Sequence, residues 1–268
     1  MHIVFSDLDG TLLDHHTYSH EGSRRGIELL RERRIPLVLV SSKTVREMEH
    51  IHRELRLDAP LIFENGGGIA LPAEQSPAGT TFAIEYIGAR ADQLRQSLDL
   101  LGECIDRPIR TLPDMTVDEI IERTGLARDD ALLARDRATS IPFVILSGED
   151  LDRDAVKRIN GELEAHDLAL TKGGRFYHLC SRNANKGSAV PRIVQYYRRT
   201  GQVERIVSVG IGDSENDISL LKAVDRAFLV KRGDGTSLAV DFEVHRTEGI
   251  GPEGFTEAIE SVFGELSR

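Results

Sequence analysis

The chain has 268 residues and a formal net charge of −10, and 40% of its residues are hydrophobic and 29% charged. This composition is that of an ordinary soluble globular protein, and the length allows a core domain with a smaller second domain. The acidic balance argues against nucleic acid, since nucleic-acid-binding proteins usually carry a basic surface. No segment approaches the ~20 apolar residues that a membrane helix needs. We therefore expect no nucleic-acid or membrane partner.

The two cysteines, Cys104 and Cys180, are far apart and lack the paired spacing of a metal site. Isolated cysteines of this kind are typical of reduced residues in a cytosolic protein, so neither zinc nor a disulfide framework is expected. The N-terminus enters an apolar strand at once, without the basic and apolar regions of a signal peptide. The sequence thus predicts a cytoplasmic protein.

Both ends of the chain alternate between strand and helix patterns. Apolar runs with β-branched residues predict strands, and apolar residues at spacings of three and four predict helices. From the N-terminus, the predicted elements are strand 3–5, helix 21–34, strand 35–40, helix 44–55 and strand 60–63. Near the C-terminus they are helix 185–199, strand 206–209, helix 218–223 and strand 227–230. This alternation predicts an α/β fold with a doubly wound, Rossmann-like parallel sheet.

The middle of the chain has a different pattern, which predicts an inserted α+β domain. Its expected elements are strand 82–87, helix 91–101, two short helices within 114–135, strand 142–146, helix 151–165 and a hairpin over 168–179 that turns at Gly173 and Gly174. We therefore predict a discontinuous core of residues 1–81 and 186–268 that carries a cap of residues 82–185. The glycines at 66–68 and the loop 72–80 are the predicted hinges.

Two carboxylates follow the first predicted strand, at Asp7 and Asp9, just before Gly10 and Thr11. In open parallel α/β sheets, ligands bind outside the carboxyl ends of the strands. The alternative is a simple strand-to-turn cap, because aspartate also favours turns. Further acidic residues at the end of a second predicted strand favour a ligand-binding site over a simple turn.

These further acids follow the strand predicted at 206–209. Asp213, Asn216 and Asp217 stand at i, i+3 and i+4, which places them on one face of a first helical turn. Convergent oxygens at two strand ends predict a divalent cation, and Mg²⁺ prefers a few carboxylates together with waters and a phosphate oxygen. We expect Asp7, Asp213 and Asp217 to hold this metal.

The same acids suit phosphoryl transfer. A carboxylate can act as a nucleophile and form an aspartyl-phosphate, and Asp7 is the candidate. Asp9 would protonate the leaving oxygen and later activate water. Ser41 lies just before a predicted helix, where anions bind well, although a plain helix N-cap would explain a serine there too. Lys186 precedes another helix; an isolated lysine is usually a solvated charge, and only its place in the order of motifs marks it.

Four motifs in this order resemble those of the haloacid dehalogenase superfamily of phosphohydrolases. They are DLDGT at 7–11, the serines at 41–42, KG at 186–187 and GDSEND at 212–217. The insert between the second and third motifs resembles the subclass with a large α/β cap. The resemblance implies that Asp7 is the nucleophile, that Asp9 is the acid/base and that Ser41 and Lys186 bind phosphate. It also implies Mg²⁺ held by Asp7, the backbone carbonyl of Asp9 and Asp213, with support from Asp217.

Segments in both core and cap resemble the mannosyl-3-phosphoglycerate phosphatase family. They are SSKT at 41–44, ENGG at 64–67, DMT at 114–116, TGL at 124–126, ARDR at 134–137, PF at 142–143 and KGGRFYHL at 172–179. This resemblance implies hydrolysis of a glycosyl-3-phosphoglycerate to a glycosylglycerate, a compatible solute. It assigns substrate contacts to Lys43, Glu64, Asn65 and Arg175. An arginine offers a planar two-donor fork for the glycerate carboxylate, although an exposed arginine on a hairpin turn is the structural alternative.

The chain departs from that family after Arg137, where two glutamates usual in the family are replaced by Ala138 and Ile141. Carboxylates in a cap commonly bind sugar hydroxyls, so the sequence leaves mannosyl, glucosyl and other sugars as candidates. The alternatives to this activity are a phosphatase of another sugar phosphate and a phosphohexomutase-like phosphotransferase, which share the nucleophile and acid/base. A binding protein on the same scaffold is the third alternative, but the chain has lost none of the catalytic acids.

Overall fold

The computed structural model describes residues 1–76, 79–173, 175–201 and 203–264. Its strands are β1 His2–Ser6, β2 Leu37–Val40, β3 Leu61–Phe63, β4 Gly68–Ser76, β5 Gly79–Tyr86, β6 Ile109–Thr111, β7 Ser140–Ile145, β8 Leu168–Gly173, β9 Phe176–Ser181, β10 Val207–Gly212, β11 Arg226–Lys231 and β12 His245–Ile250. Its α-helices are α1 Arg24–Glu32, α2 Val45–Glu54, α3 Ala91–Arg95, α4 Leu98–Ile105, α5 Val117–Thr124, α6 Arg128–Arg135, α7 Arg153–Leu163, α8 Lys186–Gly201, α9 Ile218–Lys222 and α10 Pro252–Phe263.

Eight strands of the described chain form the core sheet, in the order β12-β11-β10-β1-β2-β3-β4-β5. The strands from β12 to β3 pair in parallel, and β4 and β5 extend the sheet in antiparallel fashion. The predicted parallel α/β fold is confirmed. The chain order reverses between β1 and β10, and in open α/β sheets such a switch point is where ligands bind, beyond the carboxyl ends of the strands.

Helices cover both faces of this sheet, so its central strand is apolar on both sides. Val4 packs on one face with Leu39 and Phe255, and its neighbour Phe5 packs on the other face with Ile193. All five side chains are fully buried, as expected where successive strand residues point to opposite faces of a sheet covered twice. Polar side chains are therefore displaced to the strand ends.

The cap is a second, antiparallel sheet with the order β6-β7-β9-β8. Two apolar clusters flank it: Phe143 and Tyr177 belong to one, with residues of α4 and α7, and Phe176 belongs to the other, with Ile120 of α5. The hairpin β8–β9 closes with Gly173 opposite Phe176, as predicted, while Gly174 of its turn lies outside the described residues. The two predicted short helices are α5 and α6, and Gly125 ends α5 in the left-handed region with φ 73°.

The structure differs from the sequence prediction at the border between core and cap. The strand predicted at 82–87 as the first cap element is β5, which pairs with β4 along the edge of the core sheet. The predicted hinge segments at 66–68 and 72–80 lie largely in β4 and β5, although residues 77 and 78 are outside the described part. Glycine and proline argue against a strand locally, but pairing of β4 with β3 overrides this preference. The connections to the cap are residues 87–90 and 182–185.

Strands β6 and β12 and helix α10 are further elements that the apolar patterns did not predict. Among the described residues, no helix is both long enough and apolar enough to cross a membrane.

Candidate active site

Asp7 and Asp213 are brought together by the pairing of two neighbouring strands. Strands β1 and β10 are parallel, with Ser6 opposite Ile211, and the N–H of Asp7 donates to the carbonyl of Ile211 at 2.9 Å. The chain then turns at Gly10, whose φ is 86°. A side chain at this position would lie 3.0 Å from a carboxylate oxygen of Asp213. A glycine is therefore needed here for both its conformation and its small size.

Lys186 lies at the centre of these acids. Its Nζ atom is 2.6 Å from Oδ1 of Asp7 and 2.6 Å from Oδ1 of Asp217, and its side chain is fully buried. Gly187 allows α8 to pack closely against α9, because a Cβ at this position would lie 2.0 Å from the backbone oxygen of Ser219. Burial alone would lower the pKa of Lys186, but the charges of Asp217 and Asp7 outweigh it and raise this pKa. The lysine is thus a fixed cation rather than a solvated surface charge.

Asp7, Asp213 and Asp217 form a buried group of carboxylates. One ligand oxygen from each lies within 4.8 Å of the others. The second oxygen of Asp217 accepts bonds from the N–H groups of Asp213 and Ser214, at 3.1 and 3.0 Å, which orients this carboxylate. Burial and the charge of Asp217 raise the pKa of Asp213 to about 7 and raise that of Asp7 as well. Three acids held this close indicate a site for a cation.

Asp9 lies further out and faces the cleft between core and cap. Its Oδ2 atom is 2.9 Å from the Nζ atom of Lys43, and its side chain is 31% exposed. Its other oxygen is buried and has no hydrogen-bond partner among the described residues. Burial would lower the pKa of Lys43, but the charges of Asp9 and Glu47 outweigh it and raise this pKa. Asp9 and Lys43 therefore form an ion pair at the floor of the cleft.

Ser41 directly follows β2, the neighbour of β1, and is buried. Its hydroxyl accepts a bond from the N–H of Lys43 at 3.2 Å. It does not cap α2, because that role belongs to Thr44, whose hydroxyl accepts from the N–H of Glu47 at 3.2 Å while the Glu47 carboxylate accepts from the N–H of Thr44. The N-cap explanation of Ser41 is therefore wrong, and its hydroxyl remains available as a donor near the carboxyl ends of the strands.

Glu64 and Asn65 do not line the cleft, although both were assigned to the substrate. The Glu64 carboxylate accepts bonds from the N–H groups of Ala138 and Thr139, at 2.7 and 2.9 Å, and from the Ser140 hydroxyl at 2.6 Å. All three donors belong to the cap, so Glu64 fastens the cap to the core. Glu64 directly follows β3 with a φ of 48°, and donors of the cap occupy both oxygens of its carboxylate, which leaves neither directed at the cleft.

Asn65 also has a positive φ, of 57°, and connects two loops of the core. Its side-chain oxygen accepts a bond from the amide of Asn216 at 3.0 Å, and its N–H donates to the carbonyl of Ser41 at 2.9 Å. The loop of the acidic motif is thereby tied to the end of β2.

Arg175 projects from the β8–β9 hairpin of the cap and does line the cleft. Its Nη1 atom donates to the hydroxyl of Tyr18 at 3.1 Å and to the carbonyl of Thr124 at 2.9 Å. Arg137 is a second cap cation on the cleft, and its Nη1 atom donates to the carbonyl of Ser42 at 2.6 Å. Both arginines therefore bridge cap and core at the cleft.

The cleft measures about 920 Å³ including its open mouth. Several of its residues carry functional groups that the sequence analysis did not assign: Tyr18, Ser42, Arg137 and His178. Burial and the charge of Arg137 lower the pKa of His178 to about 3, so this histidine is neutral. These residues come from separate segments of core and cap, and no spacing in the sequence groups them.

The fold and this site define a class of protein. The family model of the haloacid dehalogenase-like hydrolases matches residues 4–94 and 126–240, which is most of the chain. The chain belongs to this family of hydrolases, and it is a phosphatase.

Two curated relatives match over nearly the full length. The glucosyl-3-phosphoglycerate/mannosyl-3-phosphoglycerate phosphatase of Methanococcoides burtonii is 35% identical and covers 98% of this chain and 98% of its own. The protein of the same name from Persephonella marina is 32% identical, over 99% of this chain and 98% of its own. The resemblance to the mannosyl-3-phosphoglycerate phosphatase family is thus confirmed. Among solved structures, a haloacid dehalogenase-like hydrolase from B. subtilis covers 99% of this chain and 100% of its own with a TM-score of 0.63, and at 18% identity it supports the fold alone.

Proposed function

We propose that this protein is a Mg²⁺-dependent phosphatase that hydrolyses a glycosyl-3-phosphoglycerate, mannosyl or glucosyl, through an aspartyl-phosphate on Asp7. The chemistry is supported above all by Lys186, which contacts both Asp7 and Asp217 at 2.6 Å at the switch point of the sheet. The substrate is supported by the activity for which the two relatives that match almost the whole chain are named.

The three buried carboxylates fit a hard divalent cation. Their oxygens lie within 4.8 Å of one another, and burial with mutual repulsion raises the pKa of Asp213 to about 7. A cation would relieve that repulsion. Asp7, Asp213, Asp217 and the backbone carbonyl of Asp9 would hold Mg²⁺. When bound, the ion neutralises charge on the phosphoryl oxygens.

In this proposal Asp7 is the nucleophile that attacks phosphorus. Burial and the charge of Asp217 raise its pKa, while Lys186 opposes this and favours the ionised nucleophile. In the first step a carboxylate oxygen of Asp7 forms a bond to phosphorus, and the bond from phosphorus to the glycerate oxygen breaks. Lys186 stays fixed beside the nucleophile because it contacts both Asp7, after β1, and Asp217, in the turn before α9. Such positioning supplies much of the rate of phosphoryl transfer.

In this proposal Asp9 is the general acid and then the general base. It delivers a proton to the glycerate oxygen as that oxygen leaves, and its conjugate base then takes a proton from water. The water oxygen bonds to phosphorus and the acyl-phosphate bond breaks, which frees Asp7 and inorganic phosphate. Such acid–base help is typically worth about 10²–10⁴ in rate.

Three cations around the cleft favour an anionic substrate despite the net charge of −10: Lys43, Arg137 and Arg175. A phosphoglycerate ester carries both a phosphate and a carboxylate, and an arginine fork suits either group.

Phosphate release with Mg²⁺ and with EDTA tests this proposal. The substrates are mannosyl- and glucosyl-3-phosphoglycerate, mannose and glucose phosphates, sucrose and trehalose phosphates, and 3-phosphoglycerate. Asp7→Asn is the blank, and Asp241→Asn, at a side chain that is 88% exposed, is the matched control. A strong preference for a glycosyl-3-phosphoglycerate is the expected result.

Two outcomes would contradict it. Turnover of simple sugar phosphates alone would show that the substrate is not a glycosyl-3-phosphoglycerate. Activity retained in Asp7→Asn would show that Asp7 is not the nucleophile. Dependence on an added sugar bisphosphate would indicate a phosphotransferase instead.

A further inference from the structure

Tyr18 lies in the loop that follows the Asp7 motif, and its side chain lines the cleft. Its φ is 57°, a left-handed conformation that costs free energy for any residue with a Cβ. The N–H of Tyr18 donates to the Asp14 carbonyl at 3.0 Å, and the Asp14 carboxylate accepts from the N–H of Thr17 at 2.8 Å. The loop therefore holds Tyr18 in one uncommon conformation beside the site.

The hydroxyl of Tyr18 contacts the cap. It accepts a hydrogen bond from Nη1 of Arg175 at 3.1 Å, and the same nitrogen donates to the carbonyl of Thr124 at 2.9 Å. Arg175 and Thr124 belong to the cap, and Tyr18 belongs to the core. The hydroxyl is thus the core partner of a cap arginine at the edge of the cleft.

The ring of Tyr18 contacts a cation of the core. The Nζ atom of Lys43 lies 5.1 Å from the ring centroid, a distance at which a cation–π attraction operates. The same Nζ atom lies 2.9 Å from Oδ2 of Asp9. One side of Lys43 is therefore fixed by the ring and the other by the carboxylate.

These contacts form one continuous chain from the cap to the acid/base. If the cap moved away, Arg175 would leave with it, and the Tyr18 hydroxyl would lose its charged partner. The loop would still hold the Tyr18 backbone, but its ring would have no partner in the cap, and the Asp9 carboxylate would be the contact of Lys43 that does not depend on the cap. The state of the cap is thereby linked to the position of the Lys43 ammonium group.

We propose that Tyr18 is a positioning residue that couples closure of the cap, through Arg175, to the placement of Lys43 beside Asp9. The inference rests on the proposed function for the role of Asp9 and for a substrate large enough to engage the cap. Tyr18 itself takes no part in bond making or breaking.

Two substitutions separate the two contacts of this side chain. Tyr18→Phe removes the hydroxyl and keeps the ring, and it should raise KM for the glycosyl-3-phosphoglycerate about tenfold, the effect of one lost hydrogen bond to a charged group, with little change in kcat. Tyr18→Leu removes the ring as well, and it should in addition lower kcat about tenfold, because Lys43 loses its cation–π contact. Tyr86→Phe is the matched control, since Tyr86 also lies against a cation, Arg90, but does not line the cleft.

A double-mutant cycle with Arg175→Gln tests whether Tyr18 acts through its hydrogen bond with Arg175. Adding Tyr18→Phe to Arg175→Gln should change KM no further, since both remove the same hydrogen bond. Thermal unfolding midpoints of all variants show whether the folded state is retained. A purely structural role would move kcat and KM together in both Tyr18 variants, with a lower midpoint.

An unchanged KM in Tyr18→Phe, or an unchanged kcat in Tyr18→Leu, would overturn the inference, and so would additive effects in the cycle. If the wild-type enzyme prefers another phosphate ester of the panel, the proposed substrate fails, and the same comparison is made with that ester. The inference about Tyr18 is then tested by whether, for that ester, Tyr18→Phe changes KM alone and Tyr18→Leu lowers kcat as well.

Discussion

The Nζ atom of Lys186 lies 2.6 Å from a carboxylate oxygen of Asp7 and 2.6 Å from one of Asp217. Lys186 begins α8, Asp7 follows β1, and Asp217 ends the short 3-10 turn between β10 and α9, so one ammonium group joins the two parts of the core that flank the cap in the chain. A buried charge is costly unless it is paired. The same contact therefore stabilises the folded core and fixes the nucleophile.

Replacing Lys186 by methionine should remove both effects. The variant leaves the carboxylates of Asp7 and Asp217 buried without their cation, and breaking a buried pair in this way costs about 3–5 kcal/mol of unfolding free energy. The kcat should fall about 10²- to 10³-fold, as for the loss of one oriented charge at a reaction centre. Urea denaturation and phosphate release measure the two effects, and Lys157→Met on the exposed face of α7 is the control. A kcat close to that of the control would show that the nucleophile is oriented without this lysine.

Asp213→Asn should stabilise the protein in EDTA and abolish its response to Mg²⁺. The pKa of Asp213 is about 7 in the folded state against 3.8 ordinarily, so the stability contributed by its bound proton is present below about pH 4 and lost as the pH rises through 7. At pH 8 the metal-free wild type therefore carries an unfavourable charge that asparagine lacks.

Thermal unfolding at pH 8 with EDTA and with Mg²⁺ checks this expectation. The wild type should be stabilised by Mg²⁺, and the variant should start from a higher midpoint that Mg²⁺ does not change. Asp241→Asn should behave as the wild type, because its side chain is 88% exposed. A variant that is still stabilised by Mg²⁺ would place the ion elsewhere.

The centre of this site was predictable because it follows directly from strand order. Acids at the ends of two apolar strands must meet if those strands are parallel neighbours, and Asp7 and Asp213 do so. Lys186 was found only through its place among the motifs, since no local pattern distinguishes a buried lysine from an exposed one. Its burial is a tertiary property.

The periphery of the site was less predictable, because it depends on contacts between distant segments. Glu64 has a carboxylate that would suit a substrate, but this carboxylate accepts hydrogen bonds from the N–H groups of Ala138 and Thr139 in the cap. Tyr18 and Arg137 each contact a partner across the border between core and cap, Arg175 and Ser42 respectively, so their place in the site depends on how the cap packs on the core. Strand β4 was missed, and the strand predicted at 82–87 was assigned to the cap, for a related reason: β4 pairs with β3 and β5 pairs with β4, and this pairing outweighs the local glycine and proline content.

Glu64→Gln should loosen the cap without altering the chemistry at Asp7. The carboxylate accepts bonds from the N–H groups of Ala138 and Thr139 and from the Ser140 hydroxyl, and an amide can accept at only one of its two positions. We expect a loss of about 1–3 kcal/mol in unfolding free energy, the cost of leaving buried donors unpaired.

Hydrogen exchange at residues 138–140 is the measurement that distinguishes this role. Their amides should exchange faster in Glu64→Gln, while those of the β1 strand remain protected. Glu103→Gln, at an exposed position of α4, is the control. Unchanged hydrogen exchange at the start of β7, combined with a raised KM, would show that Glu64 binds the substrate rather than the cap.

The last prediction concerns Ile141, one of two positions where the resembled family usually has glutamate. Its side chain is 1% exposed and packs in the cap cluster that also contains Phe143 and Tyr177. It therefore lies in the cap interior, and a carboxylate introduced there would be buried without a partner. Ile141→Glu should lower the unfolding free energy by more than about 3 kcal/mol.

Selection of the sugar should not depend on this position. Ile141→Leu conserves volume and polarity, so the ratio of kcat/KM for the mannosyl and glucosyl substrates should stay within about twofold of the wild type. Arg137→Gln, on the cleft, is the positive control for a change in substrate binding. A glutamate at 141 that is tolerated and alters the ratio would mean that β7 can turn this side chain toward the cleft, and that the cap interior is not fixed by its apolar packing.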